Sequence, residues 1–137
     1  MKRCLTVILA LLFQVMEVKA EDAQYQFVGS HFLASYYGCD ANTLNDRDLL
    51  VRAMTEAIEA SGATLLKMAD YTFDPMGVTI VALLSESHAS IHTYPEFGAC
   101  FVDFFTCGDR CDYTKFDALF KKALQASSCN SQYISRN

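Results

Sequence analysis

Thr64 to Phe73, then Asp74-Pro75-Met76-Gly77, then Val78-Thr79-Ile80-Val81-Ala82-Leu83-Leu84 is the stretch that decides the fold. The first segment reads as a strand of mixed character and the last as a strongly apolar strand. Between them, proline presets one backbone angle and glycine tolerates a positive one, which makes a turn. That turn is too short to hold a crossover helix, so the two strands run antiparallel.

Working outward, Ser87 to His92 reads as the next strand, and Thr93-Tyr94-Pro95-Glu96 leaves it, since proline cannot continue a central ladder. Gly98 to Phe105 follows as a further strand with Asp103 as its one charged interruption. Upstream, Gln24 to Tyr37 mixes aromatic and β-favouring residues and reads as a strand bent or bulged at Gly29. After the Gly38 to Asn42 loop, Asn45 is placed to cap a helix with Asp48 in its first turn. Leu50, Met54, Ala57 and Ile58 recur along that helix at helical spacing, and Ser61-Gly62 ends it. A second helix, capped by Asp112, carries Phe116, Leu119, Phe120, Ala123 and Leu124 as its stripe. Ser127 to Asn137 is polar apart from Tyr133 and Ile134, and makes either a short edge strand or a loose tail. The order predicts an α+β, two-layer sandwich: a largely antiparallel sheet with two helices on one face. The opposite sheet face then needs a cover. A homodimer that stacks two sheets supplies one.

Composition bounds the rest. A chain of 137 residues with 52% hydrophobic content can build a core, and residues 21–137 are expected to form a single domain. The net charge is -5, with Lys121-Lys122 as the longest basic run, so nucleic acid is not an expected partner. Residues 1–20 have a different character. Lys2 and Arg3 precede an apolar run, and Val18-Lys19-Ala20 ends it before Glu21-Asp22, the layout of a secretory signal. The run is short of the roughly 20 apolar residues of a spanning helix. If it is cleaved, the protein is secreted or periplasmic; if it is not, the alternative is cytoplasmic. Six cysteines do not settle the compartment. Cys4 would leave with a signal, and an odd number would stay. Cys107 and Cys111 lack a second close pair to complete a zinc set, so no metal site is expected.

Chemistry concentrates in Ser85-Glu86-Ser87-His88-Ala89-Ser90-Ile91-His92-Thr93-Tyr94-Pro95-Glu96 and in Cys107, just past a strand. A serine hydrolase would need a Gly-x-Ser-x-Gly elbow, which is absent. Asp103 or Glu96 could orient a histidine, and Cys107 with His92 offers a thiol nucleophile and a base. His31 reads as a partly buried histidine with local hydrogen bonds, or as a pocket-lining one. Strict alternation puts Ser87 and His92 on opposite faces of a strand. For the two to share a site, the segment must bend or the chain must break between Glu86 and Ser87.

Ser85 to Glu96 closely resembles the self-processing segment of the bacterial and archaeal S-adenosylmethionine decarboxylases. So does Phe101-Val102-Asp103-Phe104-Phe105-Thr106-Cys107-Gly108, at the family spacing. Gly29-Ser30-His31, Tyr37-Gly38-Cys39-Asp40 and Phe73-x-Pro75-x-Gly77-Val78-Thr79 match as well. The resemblance runs from about Phe27 to Leu124. It departs at Tyr94, where the family usually has tryptophan, and at Met76, which replaces a commonly polar turn residue.

The resemblance implies an enzyme that makes its own cofactor. The Ser87 hydroxyl attacks the carbonyl of Glu86, the chain breaks between 86 and 87, and the former Ser87 becomes an N-terminal pyruvoyl group. That group would form a Schiff base with the substrate amine and accept the electrons released on decarboxylation. His92 resembles the histidine that promotes processing, and Thr79 a hydroxyl residue that assists it. Cys107 resembles the acid that reprotonates the substrate carbon. Phe73 matches a ring that stacks on adenine, with His92 on its other side. Glu96 and Glu86 are candidates for polar or cationic parts of the ligand. The expected reaction is decarboxylation of S-adenosylmethionine for polyamine (spermidine) synthesis. The alternatives are decarboxylation of arginine or ornithine, and an unprocessed, non-catalytic secreted protein that retains the fold. The partners implied are the small-molecule substrate, the chain's own cleaved fragments and a second copy.

Overall fold

The computed structural model describes residues 27–108 and 110–137. The signal-like residues 1–20 lie outside them. Among the described residues, no helix is long and apolar enough to cross a membrane.

Strands β1 (Gly29–Tyr37), β2 (Leu65–Thr72), β3 (Val78–Leu84), β4 (Ser87–Tyr94), β5 (Ala99–Cys107) and β6 (Ser128–Arg136) form one sheet in the order β2-β3-β4-β5-β1-β6. Every pairing is antiparallel. The two-layer α+β reading therefore holds. Helices α2 (Arg47–Ala60) and α3 (Tyr113–Ala123) cover one sheet face, and a five-residue α1 (Ala41–Asn45) that the sequence reading missed precedes α2.

Alternation sorts the faces. Phe32, Ala34 and Tyr36 of β1, Val78, Ile80 and Ala82 of β3, Ala89 and Ile91 of β4, and Cys100, Val102 and Phe104 of β5 are buried under the helices. Helix α2 meets them with Leu50, Ala53, Met54, Ala57 and Ile58, a single stripe at i, i+3, i+4, i+7 and i+8. From α3, Phe116 stacks flat on Phe104 at 4.4 Å between ring centres and on Phe120 at 5.1 Å. Leu119, expected in that stripe, is partly exposed. The opposite sheet face carries Val81, Leu83, His88, His92, Phe101 and Phe105, and no element of the described chain packs over it.

Some boundaries differ from expectation. The α2 cap is Asp46, whose carboxylate accepts from Leu49 N–H at 2.9 Å. Asn45 instead ends α1, and its Oδ1 accepts from Gly77 N–H at 2.9 Å, tying α1 to the β2–β3 turn. Gly62 follows the α2 C-cap with φ +88, as a helix-ending glycine does. Strand β1 starts at Gly29 and is not bent there. A Cβ on Gly29 would lie 2.7 Å from the Phe105 ring, so glycine lets β1 and β5 close together. The tail is neither short nor loose: β6 pairs with β1 along nine residues.

Candidate active site

The connection between β3 and β4 is only Ser85-Glu86. Two-residue hairpin turns usually need positive backbone angles. Neither residue here has one. The turn is anchored from outside instead. Ser85 N–H donates to the Thr64 carbonyl at 3.0 Å. The Glu86 carboxylate accepts from Thr64 N–H at 2.9 Å and from Thr64 Oγ1 at 3.3 Å. The Glu86 carbonyl oxygen accepts from Cys107 N–H at 3.0 Å.

Ser87 begins β4 opposite Thr106, and its Oγ lies 3.3 Å from Cys107 Sγ. Glu86, Ser87 and Cys107 therefore converge at one end of the sheet. A backbone N–H on the Glu86 carbonyl polarises it and stabilises negative charge on that oxygen, as an oxyanion donor does. A hydroxyl from the next residue and a thiol complete the group. Cys111 lies nearby. Burial pushes its thiol up, and the negative charge of Glu86 adds to the shift, which keeps it protonated.

Thr79 and His92 are cross-strand partners, with Thr79 Oγ1 2.9 Å from His92 Nδ1. Their side chains face the uncovered side of the sheet. His92 also pairs with Phe101 of β5, six positions before Cys107. Along β4 it lies five residues from Ser87, about 16 Å at ~3.3 Å per residue. The structure does not bring His92 to Ser87 or Cys107 within one chain, which rules out an intrachain Cys107–His92 dyad. The cause is simple: an extended strand carries five residues far apart, whereas a loop could have folded them together.

Phe73 and Glu96 lie at the His92 end. Phe73 closes the β2–β3 turn through its N–H on the Gly77 carbonyl at 2.8 Å, and its half-exposed ring packs edge-on against Tyr71 at 4.9 Å. Glu96 sits exposed in the single 3-10 turn Pro95–Phe97 that joins β4 to β5. Asp103 orients neither catalytic candidate. Its Oδ1 is 3.4 Å from His31 Nε2, close enough for an ion pair if the ring is charged, yet that nitrogen is buried without a well-formed hydrogen bond. The site is thus split into two clusters at opposite ends of the sheet: Glu86, Ser87 and Cys107 at one end, and Phe73, Thr79, His92 and Glu96 at the other.

A model of the S-adenosylmethionine decarboxylase family matches residues 30–137. The chain belongs to the S-adenosylmethionine decarboxylase family. Among curated members, the S-adenosylmethionine decarboxylase proenzyme of Caldicellulosiruptor saccharolyticus is 39% identical over 109 residues, covering 80% of this chain and 88% of that one. The proenzyme of Prochlorococcus marinus is 51% identical over 83 residues, or 61% of this chain and 66% of that one. Among solved structures, the adenosylmethionine decarboxylase of Aquifex aeolicus aligns with a TM-score of 0.75 and 33% identity, over 80% of this chain and 91% of that one.

Thr64 and the Cys107 backbone are the members of the site that sequence reasoning missed. Thr64 acts through its position beside the turn, and Cys107 through a main-chain atom. Neither carries a residue-type signal.

Proposed function

We propose that the chain is the precursor of a pyruvoyl-dependent decarboxylase that cuts itself between Glu86 and Ser87 and then removes the carboxylate of S-adenosylmethionine, giving the aminopropyl donor of polyamine synthesis. The observation that carries this reading is the Glu86 carbonyl held on Cys107 N–H, with Ser87 Oγ beside Cys107 Sγ. Attack by Oγ on that carbonyl forms a C–O bond and breaks the C–N bond, leaving an ester and a free amine on residue 87. Loss of the residue 87 α-proton then expels the Glu86 carboxylate and cuts the chain. Water replaces the nitrogen on residue 87, and ammonia leaves. The chain's residues fit this group, because its precursor hydroxyl and the bond to be cut already share the anchored turn. Once formed, the group supplies an electron-poor carbonyl that takes up the substrate amine and the electron pair left by carbon dioxide. Cys107 Sγ holds the proton that the substrate carbon then requires.

The second cluster explains the need for a partner. Phe73 offers a flat ring to adenine, and Glu96 a negative charge to a sulfonium. His92 offers a base for the α-proton, held by Thr79. These groups serve Ser87 only from another copy. Two sheets stacked on their uncovered faces about a two-fold axis bring the His92 end of each chain to the Ser87 end of the other, and bury Val81, Leu83 and Phe101. The reading is therefore a homodimer with two composite sites. We also read residues 1–20 as a removable export segment.

Intact-mass analysis of the purified protein tests the proposal. Two fragments are expected, the later one starting at residue 87 with a pyruvoyl terminus and the earlier one starting at Glu21. A single uncut chain rejects the mechanism, and an earlier fragment that retains Met1 rejects the export segment. Carbon dioxide released from labelled arginine or ornithine, with none from S-adenosylmethionine, rejects the substrate.

A further inference from the structure

The Ser87 and His92 clusters leave unused a pair of cysteines in the core at the His92 end of the sheet. Gly38, at φ +62, turns the chain after β1, and Cys39 N–H then donates to the Gly98 carbonyl at 2.9 Å. Cys100 lies two residues beyond Gly98 on β5, opposite Tyr36. The two backbones are so close here that a Cβ on Gly98 would lie 3.2 Å from the Cys39 carbonyl oxygen. Both side chains belong to the core, at 7% and 0% exposure. Cys39 is thus held against the strand that carries Cys100, and both thiols are free.

We propose that Cys39 and Cys100 are a redox-active pair that closes to an intramolecular disulfide. The remaining cysteines fit less well as partners. Cys129 pairs with Tyr36 from the other side, so a whole strand separates it from Cys100. Two strand spacings are about 9.6 Å, beyond the ~7 Å that a disulfide spans between Cα atoms. Cys107 is seven positions along the same strand. The contact with Cys100 lowers the Cys39 thiol, whereas Cys39 and burial together push the Cys100 thiol up. Cys39 is thus the attacking group, and it is also the less buried of the two. Its thiolate attacks one sulfur of a small disulfide such as oxidised glutathione and expels one thiol. Cys100 attacks the resulting mixed disulfide and expels the second. Two protein thiols are oxidised, and one small disulfide is reduced to two thiols.

The bond would tie β5 to the loop that enters α1. Through Asn45, α1 holds the Gly77 turn on which Phe73 sits. Oxidation therefore braces the end of the sheet that carries Phe73, His92 and Glu96. The pair depends on neither self-cleavage nor catalysis, so its test reads thiols alone.

The reduced full chain is incubated with oxidised glutathione and quenched in acid. Remaining thiols are then alkylated under denaturing conditions, and the digest is mapped without reductant. The expected map joins the Cys39 and Cys100 peptides, lighter by their two thiol hydrogens, with Cys107, Cys111 and Cys129 alkylated. The Cys129→Ser variant keeps the link and Cys100→Ser abolishes it. In the uncut Ser87→Ala chain the oxidised form melts about 10 °C higher, the scale expected of a long closed loop in a domain of this size. Both thiols alkylated, glutathione alone on Cys39, or either cysteine joined to another partner overturns the proposal. The wild-type map decides even if Cys100→Ser fails to fold.

Discussion

Mixing two inactive variants offers the sharpest test of the split site. Ser87→Ala removes the hydroxyl at one end of the sheet, and His92→Ala removes the base at the other, about 16 Å along β4. Each variant alone is expected to stay uncut and release no carbon dioxide. Co-expressed in equal amounts, they pair at random, and about half of the dimers are mixed. A mixed dimer has one complete site, made of Ser87 and Cys107 from the His92→Ala chain and Thr79 and His92 from the Ser87→Ala chain. Its other site lacks both groups. About half of the His92→Ala chains should therefore be cut, and activity should return to about a quarter of the wild-type value. Mass spectrometry of differently tagged chains shows which one is cut, and labelled carbon dioxide gives the activity. If each chain carried a whole site, mixing would restore nothing. That result, or normal cutting of His92→Ala alone, refutes the composite geometry.

Three further predictions follow from single contacts. Cys107→Ala keeps the main-chain N–H on the Glu86 carbonyl but loses the thiol; turnover per cut chain should fall by about 10²-fold or more while a cut chain still accumulates, and unchanged turnover would remove the thiol from the reaction. Tyr36→Phe deletes the 2.6 Å hydrogen bond from a fully buried phenol to Asp117 and should cost about 1.5 kcal/mol, read as a lower urea midpoint; an unmoved midpoint contradicts it. The Asp40 carboxylate, capping α1 through Thr43 N–H at 2.8 Å, is held below its ordinary value of 3.8 by its bonds to Thr43. Its contribution to stability is present above that value and lost as pH falls through the lowered one, so Asp40→Asn should flatten the acid side of the stability–pH curve, and an unchanged curve counts against the cap.

The strands β3, β4 and β5 are legible in the sequence because burial on one face imposes alternation, and Pro75 and Pro95 mark where ladders stop. Strand β6 was harder to read. Nearly all its residues are exposed, so no period separates it from a tail; pairing with β1, not burial, orders it. Asn45 and Asp46 are both competent caps, and composition alone does not show that Asn45 is committed to Gly77. At the site, Ser87 and Cys107 emerge as neighbours because two strand ends meet. His92 looked like their neighbour because it is near in sequence, but in an extended chain nearness in sequence becomes separation in space.

The strand order bears on what the proposed cut would leave behind. Scission after Glu86 assigns β1, β2 and β3 to the earlier fragment and β4, β5 and β6 to the later one. In the sheet these do not lie side by side as two blocks. The earlier fragment's β1 is threaded between β5 and β6 of the later one, so three of the five strand boundaries join the two pieces. The product of the proposed cut would be two polypeptides woven into one sheet. They could be parted only by tearing out a strand hydrogen-bonded on both sides, so breaking the backbone would free a terminus for chemistry without loosening the body that holds it.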